Sequence, residues 1–111
     1  MKIYKESDMT KGWFIGDFNP AAYRSKDCEV CLKRYKAGDI DQEHLHQIAT
    51  EITVIVEGKV RMGNNIFEKG DILVIEPGES TDFEAITDSI TVVTKVPCVL
   101  GDKYEIHSAQ R

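Results

Sequence analysis

From residue 51 onward, turn-forming residues interrupt the chain so often that no helix of ordinary length fits. Glu57-Gly58, Gly63-Asn64-Asn65, Lys69-Gly70-Asp71, Glu76-Pro77-Gly78 and Thr87-Asp88 separate short runs rich in Val, Ile, Thr and Phe. Glycine and asparagine accept positive φ and proline fixes its own, so most of these breaks carry the chemistry of a tight turn. The spacing predicts strands over 51–56, 59–62, 66–67, 72–75, 81–86 and 89–96. The run 59–62 is expected to pair back on 51–56 across Glu57-Gly58. Many short strands with close turns indicate an all-β sandwich or barrel. Strand content of roughly 40% or more follows, above the ~20–25% of an average domain.

The N-terminal third is less regular. Residues 28–35 read as a strand, and Asn19-Pro20-Ala21-Ala22 reads as one helical turn with Asn as N-cap and Pro at N1. Trp13, Phe14, Ile15 and Phe18 lie on a short irregular arm, available to the core, a lid or a dimer contact. At 111 residues, 41% hydrophobic and 30% charged, the chain is expected to be one soluble domain with a core of its own. A net charge of −5 argues against a nucleic-acid partner, and strand alternation splits the cluster Lys33-Arg34-Tyr35-Lys36 between two faces. The opening residues 1–7 lack the apolar stretch of a secretion signal, and no apolar run approaches the ~20 residues of a spanning helix. A cytoplasmic location without a membrane partner is expected. Cys28 and Cys31 form a C-x-x-C, but on a strand they face opposite ways, so both, and Cys98, read as small buried hydrophobes. His107 reads as a solvated tail residue.

One stretch is chemically specific: His44-Leu45-His46, followed by Glu51 at the head of an apolar run. On a strand, two histidines one residue apart share a face, roughly 7 Å apart along the backbone. A turn within residues 47–50 brings Glu51 back beside them. Two imidazoles and one carboxylate on one side of an ion leave the other side open, an arrangement suited to Fe(II) and also to Mn, Co, Ni or Zn. The plain alternative is a polar barrel mouth with hydrogen-bonded imidazoles and no ion. Against it, an unpaired carboxylate entering an apolar barrel is costly.

The wider spacing carries a family resemblance. Gly38, His44, His46, Glu51 and Gly58 match the fixed positions of the first cupin motif, and residues 70–85 resemble the second in part. The similarity spans roughly residues 36–97. It implies a single cupin domain over 1–111, a jelly-roll barrel of two packed antiparallel sheets, with a divalent metal held by His44, His46 and Glu51. It also implies a departure. Thr81 stands where the second motif usually supplies a histidine ligand, and Ala85 where it supplies an asparagine. Asp82 is the better ligand chemically but should point away unless a bulge re-aims it. Strand parity offers Arg34, Tyr35, Thr53 and Thr81 as contacts at the mouth. The run 52–56 is apolar on both faces, which, with the resemblance, suggests a homodimer. Three functions are compatible: a metalloenzyme acting on a small polar molecule, a metal-free sugar or nucleotide-sugar module with His44 or His46 as general base, and a non-catalytic small-ligand sensor.

Overall fold

Alternation of buried and exposed side chains organises the molecule into two sheets that face each other across one interior. The computed structural model describes residues 1–106; His107 lies outside them. The structure is about 53% strand and 3% helix. The six-stranded sheet holds β1 (Trp13–Gly16), β2 (Tyr23–Arg24), β3 (Glu29–Tyr35), β5 (Thr50–Glu57), β8 (Ile72–Ile75) and β10 (Ser89–Val96), ordered β2-β1-β3-β10-β5-β8. The five-stranded sheet holds β4 (Ile40–Leu45), β6 (Lys59–Met62), β7 (Asn65–Glu68), β9 (Ser80–Ala85) and β11 (Tyr104–Glu105), ordered β11-β4-β9-β6-β7. All pairings are antiparallel except β1 with β2. Ile55, Val60, Met62, Phe83 and Ala85 form the buried core, with Tyr35, Phe67, Leu73 and Ile75 packed on it. No helix among the described residues is long and apolar enough to cross a membrane.

Three expectations are corrected. Residues 59–62 do not pair back on β5: the chain crosses at Gly58 into the opposite sheet, where β6 pairs with β7 and β9. Gly58 has φ 90°, and a Cβ there would sit 2.3 Å from Ser89 Oγ and 2.4 Å from the Asp88 carbonyl. Only glycine fits this corner, which joins sheets instead of closing a hairpin. Residues 19–22 form no helical turn. They bend toward β2, and the Ala22 N–H donates to the Phe14 carbonyl at 2.8 Å, tying the segment to the sheet. The arm is also less irregular than expected, because β1 adds to β3 and so carries Trp13 to the barrel. Its one helical element is a 3-10 turn at Glu6–Asp8.

Cys31 is fully buried, whereas Cys28 and Cys98 are only half-buried. Cys98 is more than a small hydrophobe: its Sγ accepts from the Asp17 N–H at 3.4 Å and its thiol donates to Glu29 Oε2 at 3.3 Å.

Candidate metal centre

The site grows from β4 and the start of β5. On β4, Asp41 lies opposite Phe83 and His44 opposite Thr81, with one extra residue accommodated between them. This bulge is what allows Asp41 and His44, an odd number of residues apart, to face the same interior cavity. His46 follows on that face, with its ring centroid 5.2 Å from that of His44. On β5, Glu51, Thr53 and Ile55 are buried in strict alternation, so Glu51 enters beside the two imidazoles. One donor atom from each of His44, His46 and Glu51 lies within 4.8 Å of the others.

Each imidazole is oriented through Nδ1. His44 Nδ1–H donates to the Gln42 carbonyl at 2.9 Å, and His46 Nδ1–H donates to the Asp102 carbonyl at 2.6 Å. With Nδ1 committed as donor, Nε2 carries the lone pair. His46 Nε2 lies 3.2 Å from Glu51 Oε1, and Thr53 Oγ1–H donates to Glu51 Oε2 at 3.0 Å. A lone pair facing a carboxylate requires a cation between them, either a proton or a metal. The donor set therefore fits a divalent ion, which needs donors at about 2.0–2.2 Å and hence only modest contraction. Burial lowers His44 below its ordinary 6.5, aided by Lys103, and favours the neutral ring a metal needs. Burial alone would raise Glu51. With a proton shared between His46 Nε2 and Glu51, that hydrogen bond and the one from Thr53 outweigh it, helped by the nearby Lys95 charge, and hold the carboxyl below its ordinary 4.5.

Asp102 is a residue that spacing did not reveal. It is 5% exposed, and its carboxylate accepts the N–H groups of Gln47, Ile48 and Ala49 at 3.0, 3.1 and 2.9 Å. Its own carbonyl holds His46. One residue thus shapes the turn that returns Glu51 to the histidines and sets the rotation of one of them. No local motif marks it, since its partners are more than 50 positions earlier in the chain.

Thr53, Tyr35 and Thr81 line the cavity, which measures about 520 Å³. Arg34 does not. Tyr35 takes the inward position on β3, and alternation turns Arg34 outward into an ion pair with Glu6 at 2.9 Å. Tyr35 stacks on Phe83 with centroids 4.4 Å apart and donates to Asp41 Oδ2 at 3.0 Å. Thr81 shares its face with Phe83 and Ala85, and its hydroxyl donates to the Asp82 carbonyl. The Asp82 carboxylate is bound by Arg61 at 3.1 Å and by the Gly63 N–H, so it is no ligand here.

No family profile and no curated protein sequence matches the chain, but solved structures do. An RmlC-like cupin from Shewanella frigidimarina superposes with a TM-score of 0.64 at 16% identity, over 68% of this chain and 71% of that one. A second RmlC-like cupin, from Desulfovibrio desulfuricans, gives 0.60 at 25% identity, over 68% and 76%. A sugar phosphate isomerase of the cupin superfamily from Silicibacter pomeroyi gives 0.59 at 20% identity, over 63% of this chain and 50% of that one. The chain has the fold of the cupin superfamily.

Proposed function

We propose that this cupin-fold protein binds a divalent metal through His44, His46 and Glu51 and acts on a small polar molecule held in the same cavity. The observation that carries the reading is the convergence of two oriented Nε2 lone pairs on a buried carboxylate. Bound there, an ion would supply Lewis acidity beside open coordination positions. The protein's own groups would position the ligand: Tyr35, fixed by Asp41 and Phe83, offers an aromatic face, and Thr81 stands beside His44 on the neighbouring strand. Three free thiols suit the reducing cytoplasm.

Metal titration by calorimetry on chelator-stripped protein tests this directly. The wild type should bind Mn, Fe, Co, Ni or Zn with one-to-one stoichiometry, more weakly below about pH 6 as imidazoles take up protons. Thr81→His adds an imidazole directly opposite His44 and should tighten binding about tenfold or more. Absence of binding in both proteins removes the metal reading.

A second reading rests on the His46–Glu51 hydrogen bond, which completes the pair without an ion. His44, whose Nε2 has no hydrogen-bonding partner among the described residues, would then be the general base on a sugar or nucleotide-linked sugar, consistent with the sugar phosphate isomerase of similar fold. Turnover unaffected by chelator would favour it.

We also propose a homodimer through the outer face of the six-stranded sheet. Register aligns Leu32, Val92, Val54 and Ile72 in one outward row across four strands. The next row is Val30, Thr94, Ile52 and Val74. Ile72 and Val74 are 67% and 56% exposed, which an unpartnered apolar face does not favour in water. Light scattering should give twice the chain mass, and Ile72→Lys with Val74→Lys should give the monomer. Because both side chains are exposed, the double variant should keep its fold. A monomeric wild type overturns the assignment.

A further inference from the structure

Beyond the three metal donors, one wall of the cavity has a charge arrangement of its own. On the inner face of the six-stranded sheet, cross-strand register sets three rows. Glu29, Lys95 and Glu51 form the row at the metal donors. Cys31, Val93 and Thr53 form the next, and Lys33, Thr91 and Ile55 the third. Rows two residues apart lie roughly 7 Å from each other. Val93 therefore sits between two ammonium-bearing side chains, one row from Glu51.

The hydrogen-bond inventory of this wall is lopsided. Among the described residues, every carboxylate lining the cavity already has a donor. Cys98 serves Glu29, Tyr35 serves Asp41, and His46 and Thr53 serve Glu51. Asp82 has Arg61, and Asp102 has its three backbone N–H groups. Of the two ammoniums in these rows, Lys33 is the one left wanting. Lys33 has no hydrogen-bonding or ionic partner among the described residues. Lys95 is only 15% exposed; it forms an ion pair with Glu29 at 3.6 Å, and its ammonium lies 5.0 Å from the centroid of the Trp13 ring. Thr91, directly opposite Lys33, is 1% exposed, and its Oγ1 is a buried side-chain polar atom with no partner among the described residues. A buried hydroxyl without a partner costs about 1–3 kcal/mol.

We propose that this wall is an anion seat: Lys33, Lys95 and Thr91 together take the carboxylate or phosphate of a small organic acid, whose remaining oxygens face the His44–His46–Glu51 centre. The inference rests on the reading of this cavity as a small-molecule site and names the class of molecule. An anion over Val93 would give Lys33 the acceptor it lacks, Lys95 a second anionic partner beside Glu29, and the Thr91 hydroxyl a partner. Charge-assisted hydrogen bonds of this kind are roughly twice as strong as neutral ones.

Inorganic phosphate and malonate are the probes, with neutral malonamide as control, titrated by calorimetry into protein kept in chelator. The wild type should bind at least one anion and not malonamide. Lys33→Met and Lys95→Met should each weaken anion binding tenfold or more, and Thr91→Val, which keeps the shape and removes the hydroxyl, about threefold. Preference for phosphate assigns a phosphate ester as ligand, and preference for malonate assigns a carboxylate. Thermal melts identify folded variants. If Lys95→Met fails to fold, Lys33→Met and Thr91→Val decide alone. The seat is overturned if neither anion binds better than malonamide, or if folded variants bind as the wild type does. Because chelator is present throughout, lysine-dependent anion binding stands even if metal titration of the wild type fails. Normal metal binding without anion binding removes only the seat.

Discussion

Asp102→Ala should destabilise the protein by about 3 kcal/mol, because three backbone N–H groups at residues 47–49 lose a charged acceptor. In a domain of this size that lowers Tm by roughly 12–24 °C. Asp102→Asn, which keeps one carbonyl acceptor, should lose about half as much. Thermal melts of the three proteins check the order. The same carboxyl gives the effect a pH dependence. Burial alone would raise Asp102, but its three backbone donors, with His46, hold it below its ordinary 3.8. Glu51 and His44 are likewise depressed. A depressed group is protonated first in the unfolded chain, so its contribution is present above its unfolded value and is lost as pH falls through the folded one. Stability should decline from near pH 6.5 as His44 begins to resist protonation, and more steeply below about pH 4.5 as Glu51 and Asp102 titrate. Asp102→Asn should flatten the acid end of that curve, and an unchanged profile would show that Asp102 does not contribute to it.

Glu51→Gln and His46→Ala should each reduce metal affinity by about a hundredfold or more. Changes to groups that merely support a ligand cost 10–100-fold, and these substitutions remove the ligand itself. The two variants differ instructively. Glu51→Gln preserves shape and leaves the hydroxyl of Thr53 an acceptor, so it should stay folded and report on the ion alone. His46→Ala also empties the space between Asp102 and Glu51, and should lose stability as well as affinity. Calorimetric titration of both beside wild type measures the effect. If Glu51→Gln binds metal as tightly as wild type, the carboxylate is not a ligand, and the metal-free reading with His44 as base becomes the better one.

Much of this architecture was legible because strand parity is a local property. Glu51, Thr53 and Ile55 share a face, as do Thr81, Phe83 and Ala85, and both sets follow from counting by twos. The same count should have separated Arg34 from Tyr35, and the structure does so. Turn chemistry also marked where strands end, but it did not say where the chain goes next. Glu57-Gly58 has the composition of a hairpin turn and is a passage between sheets, because that choice depends on Ser89 and Asp88, which are distant in sequence. Asp102, Lys95 and Thr91 were silent for a related reason. Each acquires its role from partners or emptiness on other strands, and no spacing within one segment encodes that.

Gly58 has a wider meaning for how substitutions in this chain should be interpreted. It stands at the far end of β5 from Glu51, and there the passage from β5 to β6 touches the passage from β9 to β10. The register of β5 against β10 aligns Glu51 with Lys95, so a wedge driven into that corner disturbs a pairing whose consequences appear at the other end of the strand. A survey of variants scored only by lost activity would rank position 58 among the residues that do chemistry. Measured alongside the amount of folded protein recovered, it would fall into a separate class, one whose demand is geometric and indifferent to what the cavity holds.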